Sequence, residues 1–270
     1  MKKFIKKLFK TTSIGPITIN ELLPTHKLIG KKIIITGGSR GIGKAMANKF
    51  VAEGADVLIT GRNEETLKAT AEKINCKHLV LDVTEVEKFP EFIAKAKEML
   101  GGLDCLVNNA GISLHEPRFF DVTPESYDKQ FDTNLKGAFF LTQGFIKALK
   151  VENKGGSVLF ISSETGETAD VRPYGLSKAA INSLARGLAH GLVNSHIRVN
   201  AIAPGKTATE MTGLTNYDGD LSNSGNNIGR FYLPEEIAET AAFLLSDASS
   251  CISGQIIACN NANTVNPRWK

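Results

Sequence analysis

The stretch Thr36-Gly37-Gly38-Ser39-Arg40-Gly41-Ile42-Gly43 decides the fold of this chain. It directly follows the apolar run Lys32–Ile35 and precedes a helical pattern from Ile42 to Phe50. A glycine-rich turn between a strand and a helix lets the backbone approach a diphosphate, and the first N–H groups of the helix then face that anion. The stretch therefore predicts a nucleotide-binding turn at the start of a β-α-β unit.

A second motif, Tyr174-Gly175-Leu176-Ser177-Lys178, lies far downstream. The phenol and the ammonium are four residues apart, so on a helix they share one face. A cation held near a phenol favours phenolate and is expected to lower the pKa of Tyr174. Taken alone, the two residues read as an ordinary helix surface pair; together with the nucleotide turn they predict hydride transfer to or from a carbonyl.

Short apolar runs alternate with helix-length amphipathic segments from Lys31 onward. This order predicts an α/β fold: a single doubly wound Rossmann-type domain over residues 31–265, with a parallel seven-stranded sheet and helices on both faces. Residues 1–30 form a basic N-terminal extension. Residues 210–232, which are rich in Gly, Asn, Ser and Asp, are expected to form a mobile substrate loop, with disorder as the alternative. The predicted strands are Lys32–Thr36, Ala55–Thr60, His78–Leu81, Leu103–Asn108, Ser157–Ser162, Ile197–Ile202 and Gln255–Cys259.

The composition is that of a globular protein and limits the function classes. The 270 residues are 42% hydrophobic and 22% charged, with a formal net charge of +4 that lies largely in the first ten residues. The remainder is close to neutral, so nucleic acid is not an expected partner. No apolar run approaches the roughly 20 residues that span a bilayer. The cysteines have no C-x-x-C spacing and no Cys/His cluster indicates a metal, which favours a reduced, cytoplasmic location.

The N-terminal segment Met1–Lys10, MKKFIKKLFK, places apolar residues on one helical face and lysines opposite. Such a helix could lie on an anionic membrane surface. The interpretation we favour is a solvated tail or an arm packed on a second subunit, because a ten-residue helix is marginal alone. No apolar region follows, so it is not a signal peptide.

From about Lys31 to Asn260 the chain resembles the short-chain dehydrogenase/reductase family. The resemblance rests on seven signals in the expected order: TGGSRGIG at 36–43, Asp82 in LDVT, NNAG at 108–111, Asn134 in NLKG, Ser163 in ISSETG, YGLSK at 174–178 and APG at 203–205. It implies a homo-dimer or homo-tetramer, for which the helical segments Asn134–Val151 and Tyr174–Val193 are candidate contacts.

The resemblance implies a catalytic role for four residues. Tyr174 would donate the proton in reduction and accept it in oxidation. Lys178 would hold down the pKa of Tyr174 and bind the nicotinamide ribose. Ser163, with Ser162 as the alternative, would hydrogen-bond the substrate oxygen as charge develops there. Asn134 would support a water-linked proton path through the lysine.

The cofactor phosphate can also be inferred. NAD-preferring sites usually place an acid at the end of the second strand, where this chain has Thr60-Gly61-Arg62-Asn63. Arg62 and Arg40 suit a 2′-phosphate, so NADP(H) is predicted over NAD(H), although Arg62 could be a solvent-facing residue. Asp82 would bind the adenine, with a strand-end turn cap as the alternative. The predicted cofactor residues are Gly37, Ser39, Arg40, Gly41, Ile42, Gly43, Arg62, Asp82, Val83, Asn109, Ala110, Gly111, Tyr174, Lys178, Pro204, Gly205 and Thr209.

Three features depart from the family pattern. The segment between Ser163 and Tyr174 is one or two residues short and is charged. Asn260-Asn261-Ala262 replaces the Asp-Gly-Gly that often follows the last strand, and the N-terminal extension is longer than the family core needs.

The expected substrate is a carbonyl compound or secondary alcohol, with a slight preference for a small polar ketone. A 3-oxoacyl thioester on an acyl carrier protein is the alternative. Two interpretations from other classes remain: a serine hydrolase, since Gly37–Gly41 formally matches G-x-S-x-G around Ser39, and a catalytically dead nucleotide-binding protein.

Overall fold

A computed structural model of the protein describes residues 9–14, 17–22, 25–214 and 220–265. Strands β1 (Phe9–Ile14) and β2 (Ile17–Leu22) come first and pair antiparallel as a separate two-stranded sheet. This hairpin has no counterpart among the elements predicted from the sequence. Phe9 and Lys10 lie in β1, so the amphipathic-helix interpretation is wrong for these two positions; residues 1–8 lie outside the described residues.

The main sheet has seven strands, and every pairing in it is parallel. The strands are β3 (Lys32–Thr36), β4 (Asp56–Gly61), β5 (Lys77–Val80), β6 (Cys105–Asn108), β7 (Gly156–Ile161), β8 (Ile197–Pro204) and β9 (Ile256–Cys259). Their spatial order is β5-β4-β3-β6-β7-β8-β9. The direction of winding reverses between β3 and β6, and ligands of such sheets bind outside the carboxyl ends of the strands at that point.

The helices lie on both faces of this sheet. They are α1 (Gly41–Ala52), α2 (Glu64–Ile74), α3 (Phe89–Leu100), α4 (Pro124–Phe131), α5 (Gly137–Val151), α6 (Pro173–Leu192) and α7 (Pro234–Leu245). Successive strand residues point to opposite faces: Ile33 and Ile35 share a buried cluster with Phe50 of α1, whereas Ile34 joins a second cluster with Phe145 of α5. The predicted doubly wound α/β domain is confirmed.

The predicted strand boundaries agree with the structure to within one or two residues, and local signals explain the helix starts. Thr123 caps α4: its hydroxyl accepts from the Ser126 N–H at 3.2 Å, and the Ser126 side chain accepts from the Thr123 N–H. A short turn at Val86–Lys88 directly precedes α3.

A buried carboxylate attaches the segment before β3 to the domain. Glu53, which follows α1, is 0% exposed, and its Oε2 accepts from the N–H groups of Thr25 and Lys27 at 3.0 and 3.2 Å. The Lys49 ammonium lies 3.1 Å from Oε1. Burial alone would raise the pKa of Glu53, but the hydrogen bonds and charges of Lys49 and Lys27 outweigh it and hold that pKa below its ordinary value.

The predicted substrate loop has defined turns where it is described. Leu221 packs with Ala208 and Leu233, and the Asn226 amide donates to the carbonyl oxygens of Lys206 and Arg230 at 3.0 and 2.7 Å. Residues 215–219 lie outside the described residues, so the prediction of mobility stays a prediction. Within the described ranges, no helix combines the length and the apolar character needed to cross a membrane.

Candidate active site

The glycine turn joins the end of β3 to the start of α1 and allows close backbone contact. Gly37 and Gly41 have φ angles of 64° and 51°, in the left-handed region that favours glycine. A Cβ atom on Gly43 would lie 2.2 Å from the Gly37 carbonyl oxygen. The Asn109 amide donates to the carbonyl oxygens of Thr36 and Gly37 at 2.9 and 3.0 Å, which fixes the turn to the end of β6.

The start of α1 presents donors rather than negative charge. The N-cap residue Arg40 makes no side-chain cap bond, and the first turn of α1 contains no acid. The first N–H groups of the helix, from Gly41 onward, therefore have no intrahelical partner and face the turn with the positive end of the helix dipole. Ser39 and half-buried Ile42 complete this turn, and the Ser39 carbonyl oxygen accepts from Thr70 at 3.1 Å. This geometry suits a phosphate.

Two arginines and one aspartate surround the end of β4. Arg40 is exposed, and the Arg62 side chain, directly after β4, is 62% exposed, so both guanidinium groups are accessible. Arg62 Nη1 lies 4.0 Å from Asp82 Oδ2. Asp82 Oδ1 accepts from the N–H and the hydroxyl of Thr84, both at 2.9 Å, which is the turn-cap geometry of the alternative interpretation. Oδ2 is the carboxylate oxygen that faces Arg62.

The other predicted cofactor residues lie at the carboxyl ends of β5, β6 and β8, on the same edge of the sheet as the glycine turn. The N–H of Ala110 donates to the Thr36 hydroxyl at 3.0 Å, and a Cβ on Gly41 would lie 3.2 Å from Thr209 Cγ2. Thus the turn after β8 reaches the glycine turn. The remaining ones are Val83, whose carbonyl oxygen would clash with a Cβ on Gly137, and Pro204 and Gly205, where β8 ends beneath the Tyr232 ring.

Asn134 lies in a π-helical turn, Asp132–Lys136, between α4 and α5. It is 2% exposed, its Oδ1 accepts from the Ile112 N–H at 2.8 Å, and its Nδ2 donates to the Ile112 carbonyl oxygen at 2.9 Å. A Cβ on Gly111 would lie 3.3 Å from Asn134 Oδ1 and 3.4 Å from Lys178 Nζ. Widened turns of this kind are frequent at functional sites, and this one brings Asn134 beside Lys178.

The two serines after β7 face different neighbours. The Ser162 hydroxyl donates to the Lys178 carbonyl oxygen at 3.2 Å and so packs against α6. The Ser163 hydroxyl instead accepts from the Thr165 N–H at 3.3 Å, and its interaction with the Tyr174 phenol opposes the rise in the pKa of that group. This placement favours Ser163 over Ser162 as the hydroxyl that would meet a substrate.

Tyr174 and Lys178 share one face of α6, as the sequence predicts, but the expected pKa of the tyrosine is wrong in direction. Burial raises the pKa of Tyr174; the hydrogen bond with Ser163 and the charge of Arg172 oppose this rise. Lys178 Nζ lies 5.7 Å from the centre of the tyrosine ring and donates to the Ile161 carbonyl oxygen at 2.8 Å. Its own burial lowers the pKa of Lys178 to about 8, which weakens its effect on the phenol.

Several residues near these groups were not predicted. The Ser177 hydroxyl accepts from Asn134 Nδ2 at 3.2 Å and donates to the Tyr174 carbonyl oxygen at 2.7 Å. His115 Nε2 lies 3.0 Å from the Met211 carbonyl oxygen, so it joins the loop after β6 to the segment after β8. Glu164 is bonded by amides of the C-terminal turn. Of these contacts, only the one to Glu164 had a signal in the sequence, namely Asn260-Asn261-Ala262 in place of the Asp-Gly-Gly that often follows the last strand.

The arrangement can stabilise a developing alkoxide. Ser163 and Tyr174 bring two hydroxyl groups together, and buried Lys178 lies between the phenol and Asn134. Such a set can donate hydrogen bonds and a proton to a carbonyl oxygen. Over the ranges 25–214 and 220–265, no group of three or more His, Cys, Asp or Glu could hold a metal ion, and no histidine hydrogen-bonds the Ser39 hydroxyl.

Comparisons with known proteins agree with this geometry. A family model described as Enoyl-(Acyl carrier protein) reductase matches residues 37–261. The chain is 33% identical over 243 residues to a 3-oxoacyl-[acyl-carrier-protein] reductase, FabG, of Aquifex aeolicus, covering 87% of this chain and 97% of that protein. It is 36% identical over 248 residues to a 3alpha-hydroxysteroid dehydrogenase of Mediterraneibacter gnavus, covering 87% and 97%. A crystal structure of a short-chain type dehydrogenase/reductase from Mycobacterium marinum superimposes with a TM-score of 0.81 at 31% identity, covering 90% of this chain and 99% of that one.

Proposed function

The chain belongs to the short-chain dehydrogenase/reductase family of NAD(P)-dependent oxidoreductases that act on CH–OH or C=O groups, and from this premise we propose that it is an NADPH-dependent carbonyl reductase. In this proposal Tyr174 is the acid/base and Ser163 orients the substrate oxygen. This assignment replaces the serine hydrolase interpretation of Ser39 and the dead-site interpretation.

The observation that carries the proposal is the meeting of Asn134, Ser163, Tyr174 and Lys178 beside the glycine turn. The cradle left by Gly37, Gly41 and Gly43 fits a dinucleotide diphosphate, because a side chain there would fill the space or strain the backbone. A bound nicotinamide would supply the hydride. Tyr174 would then give its proton to the alkoxide oxygen while Ser163 hydrogen-bonds that oxygen, and Lys178 with Asn134 would restore the proton from solvent.

Accessible guanidinium groups support NADPH as the cofactor. Arg40 ends the turn after β3 and Arg62 directly follows β4, so both would face the adenine ribose, and β4 ends without an acid. A bidentate guanidinium suits a 2′-phosphate. Asp82 Oδ2, which lies 4.0 Å from Arg62 Nη1, would accept from the adenine amino group.

A fluorescence titration with NADPH and then NADH, followed by turnover assays, tests the proposal. We expect tighter binding of NADPH, NADPH consumption with at least one class of ketone or aldehyde, and loss of turnover in Tyr174→Phe by about a thousandfold with cofactor binding retained. A fully active Tyr174→Phe would refute the mechanism. Tighter binding of NADH would refute the cofactor assignment alone.

A 3-oxoacyl thioester carried by an acyl carrier protein is the second candidate substrate, because two of the 3-oxoacyl-[acyl-carrier-protein] reductases compared are 33% and 36% identical. The net charge of +4 suits an acidic carrier. A small polar ketone remains the first candidate, since charged groups surround Tyr174. Turnover of acetoacetyl thioesters with and without the carrier protein, beside hydroxyketones, separates the two.

We also propose that residues 31–265 fold as one domain and that this domain forms a homo-dimer or homo-tetramer. The proposed location is the cytoplasm. Half-exposed Phe139 and Phe140 on α5 and Leu176 on α6 give these two helices apolar surface for a second copy. Sedimentation velocity would show whether Phe140→Glu yields a monomer. The basic segment 1–30 would contribute a membrane-surface contact only in the alternative interpretation.

A further inference from the structure

Glu210 places a carboxylate beside the start of α1. It is the first residue of a short 3₁₀ turn, Glu210–Thr212, in the segment after β8. A Cβ atom on Gly41 would lie 3.6 Å from Glu210 Oε2 and 3.2 Å from Thr209 Cγ2. Gly41 belongs to the glycine turn, where the lack of a side chain would let a diphosphate approach the backbone. The space that the diphosphate would enter therefore borders on a negatively charged side chain.

The short turn that carries Glu210 is fixed on both sides. The Thr212 hydroxyl donates to the Thr207 carbonyl oxygen at 2.8 Å, which ties the turn to the end of β8. The Met211 carbonyl oxygen lies 3.0 Å from His115 Nε2, which ties the same turn to the loop after β6. The carboxylate therefore extends toward α1 from a defined stretch of backbone.

The electrostatic surroundings of Glu210 leave its charge uncompensated by any side chain. Within the described part of the chain, no hydrogen bond or ion pair reaches its carboxylate. The start of α1 attracts an anion, because its first turn contains no acid and its N-cap residue Arg40 makes no side-chain cap bond. The N–H groups there carry the positive end of the helix dipole. Glu210 thus supplies negative charge where a bound phosphate would also supply it.

We propose that Glu210 is an internal competitor of the cofactor, whose carboxylate lies at the start of α1 and must move aside when the diphosphate binds there. This rests on the proposed binding of a dinucleotide and deepens it, because it names a residue that limits the affinity. The carboxylate and the diphosphate repel each other as like charges. Since NADPH and NADH share the diphosphate, Glu210 weakens the binding of both, whereas Arg62 would act on NADPH alone.

The variant Glu210→Gln tests this, because it keeps the length of the side chain and removes its charge. We expect NADPH and NADH each to bind about fivefold more tightly to Glu210→Gln than to the wild type in fluorescence titrations at low salt. The gain should shrink at about 0.5 M salt, because exposed charges are screened. Glu98→Gln is the matched control: Glu98 is an exposed acid near the end of α3, at the opposite edge of the sheet, so both affinities should stay unchanged.

An NMR measurement without cofactor separates this contact from the proposed function. The amide resonance of Gly41 should move in Glu210→Gln and stay in place in Glu98→Gln, because only Glu210 brings a charge close to that N–H group. Equal or weaker cofactor binding by Glu210→Gln, a gain that does not depend on salt, or an unmoved Gly41 resonance would each overturn the inference. A Gly41 resonance that moves in a protein that binds neither NADPH nor NADH would refute the proposed function alone.

Discussion

Two tight turns lie at the carboxyl edge of the sheet, and they reach the same backbone conformation with different residues. The turn after β3 uses Gly37 and Gly41 at φ angles of 64° and 51°. The turn after β9 uses Asn261 and Ala262 at 45° and 62°, where a Cβ atom is disfavoured. The first turn leaves space for a ligand, whereas the second retains strain and presents amide side chains to Glu164. Strain persists where the surrounding structure over-determines it.

The largest effect is expected where a glycine has no space to spare. In Gly43→Ala the new Cβ would lie 2.2 Å from the Gly37 carbonyl oxygen and 2.5 Å from Asn109 Nδ2. We expect a loss of about 3 kcal/mol in the free energy of unfolding, together with loss of cofactor binding. Urea unfolding and NADPH titration measure the two effects.

The control for this variant is Gly187→Ala. Gly187 is an exposed residue of α6, and nothing lies within 4 Å of the position that an alanine Cβ would take, so alanine should stabilise the helix by about 1 kcal/mol. Equal effects of the two substitutions would contradict the view that the glycine turn is sterically defined.

A buried charge lies between the two turns. Burial lowers the pKa of Lys178 to about 8, whereas the unfolded chain keeps this proton up to about pH 10. Between these values the unfolded state binds more protons, so the folded state gains stability as pH rises. Relative to Lys178→Met, we expect the wild type to gain about 1.5 kcal/mol between pH 8 and about pH 9.5 in urea unfolding. The same pH dependence in both proteins would contradict the lowered pKa and show that Lys178 is accessible to water.

The turn after β4, beside the glycine turn, gives the next effect. In Arg62→Gln we expect NADPH to bind about tenfold more weakly while NADH binding is nearly unchanged, because only NADPH has the 2′-phosphate. Arg118→Gln is the control, since Arg118 is an exposed arginine paired with Asp121. An equal loss for NADPH and NADH would assign Arg62 to a shared part of the cofactor.

The smallest effect relieves the strained turn. Ala262→Gly should raise the free energy of unfolding by about 1 kcal/mol, because glycine adopts the left-handed conformation without steric cost. Ala69→Gly, in the exposed middle of α2, should lower it by about the same amount. Thermal unfolding compares the two. Destabilisation by Ala262→Gly would show that the alanine methyl group contributes packing that outweighs the strain.

The contrast between the turns also explains what could be predicted from the sequence. The glycine turn, the succession of strands and helices along the chain, and the approach of Tyr174 to Lys178 depend on local patterns, namely glycine spacing, alternating apolar runs and helical periodicity. Because each pattern is complete within a short stretch of chain, the order of amino acids alone identifies the fold and indicates the candidate residues.

Other features depend on contacts between distant residues. The hydrogen bonds from Asn260 and Asn263 to Glu164 join residues 96 and 99 positions apart in the sequence, and no local pattern predicts them. The pKa direction of Tyr174 depends on how completely the helix buries the phenol, which helical spacing alone does not determine. The antiparallel pairing of β1 with β2 was not predicted from the sequence.

The attachment of the N-terminal segment at Glu53 gives this protein a region with its own response to acid. The pKa of Glu53 is lowered in the folded protein. Its ionised side chain therefore stabilises the folded state above the ordinary glutamate pKa, and this stabilisation is lost as pH falls through the pKa of the folded state. Thr25 and Lys27 would then lose the carboxylate that binds their N–H groups, while Leu28 stays in the apolar cluster packed against β3. Acid would thus make the chain just before Leu28 accessible to proteases while the core is still folded.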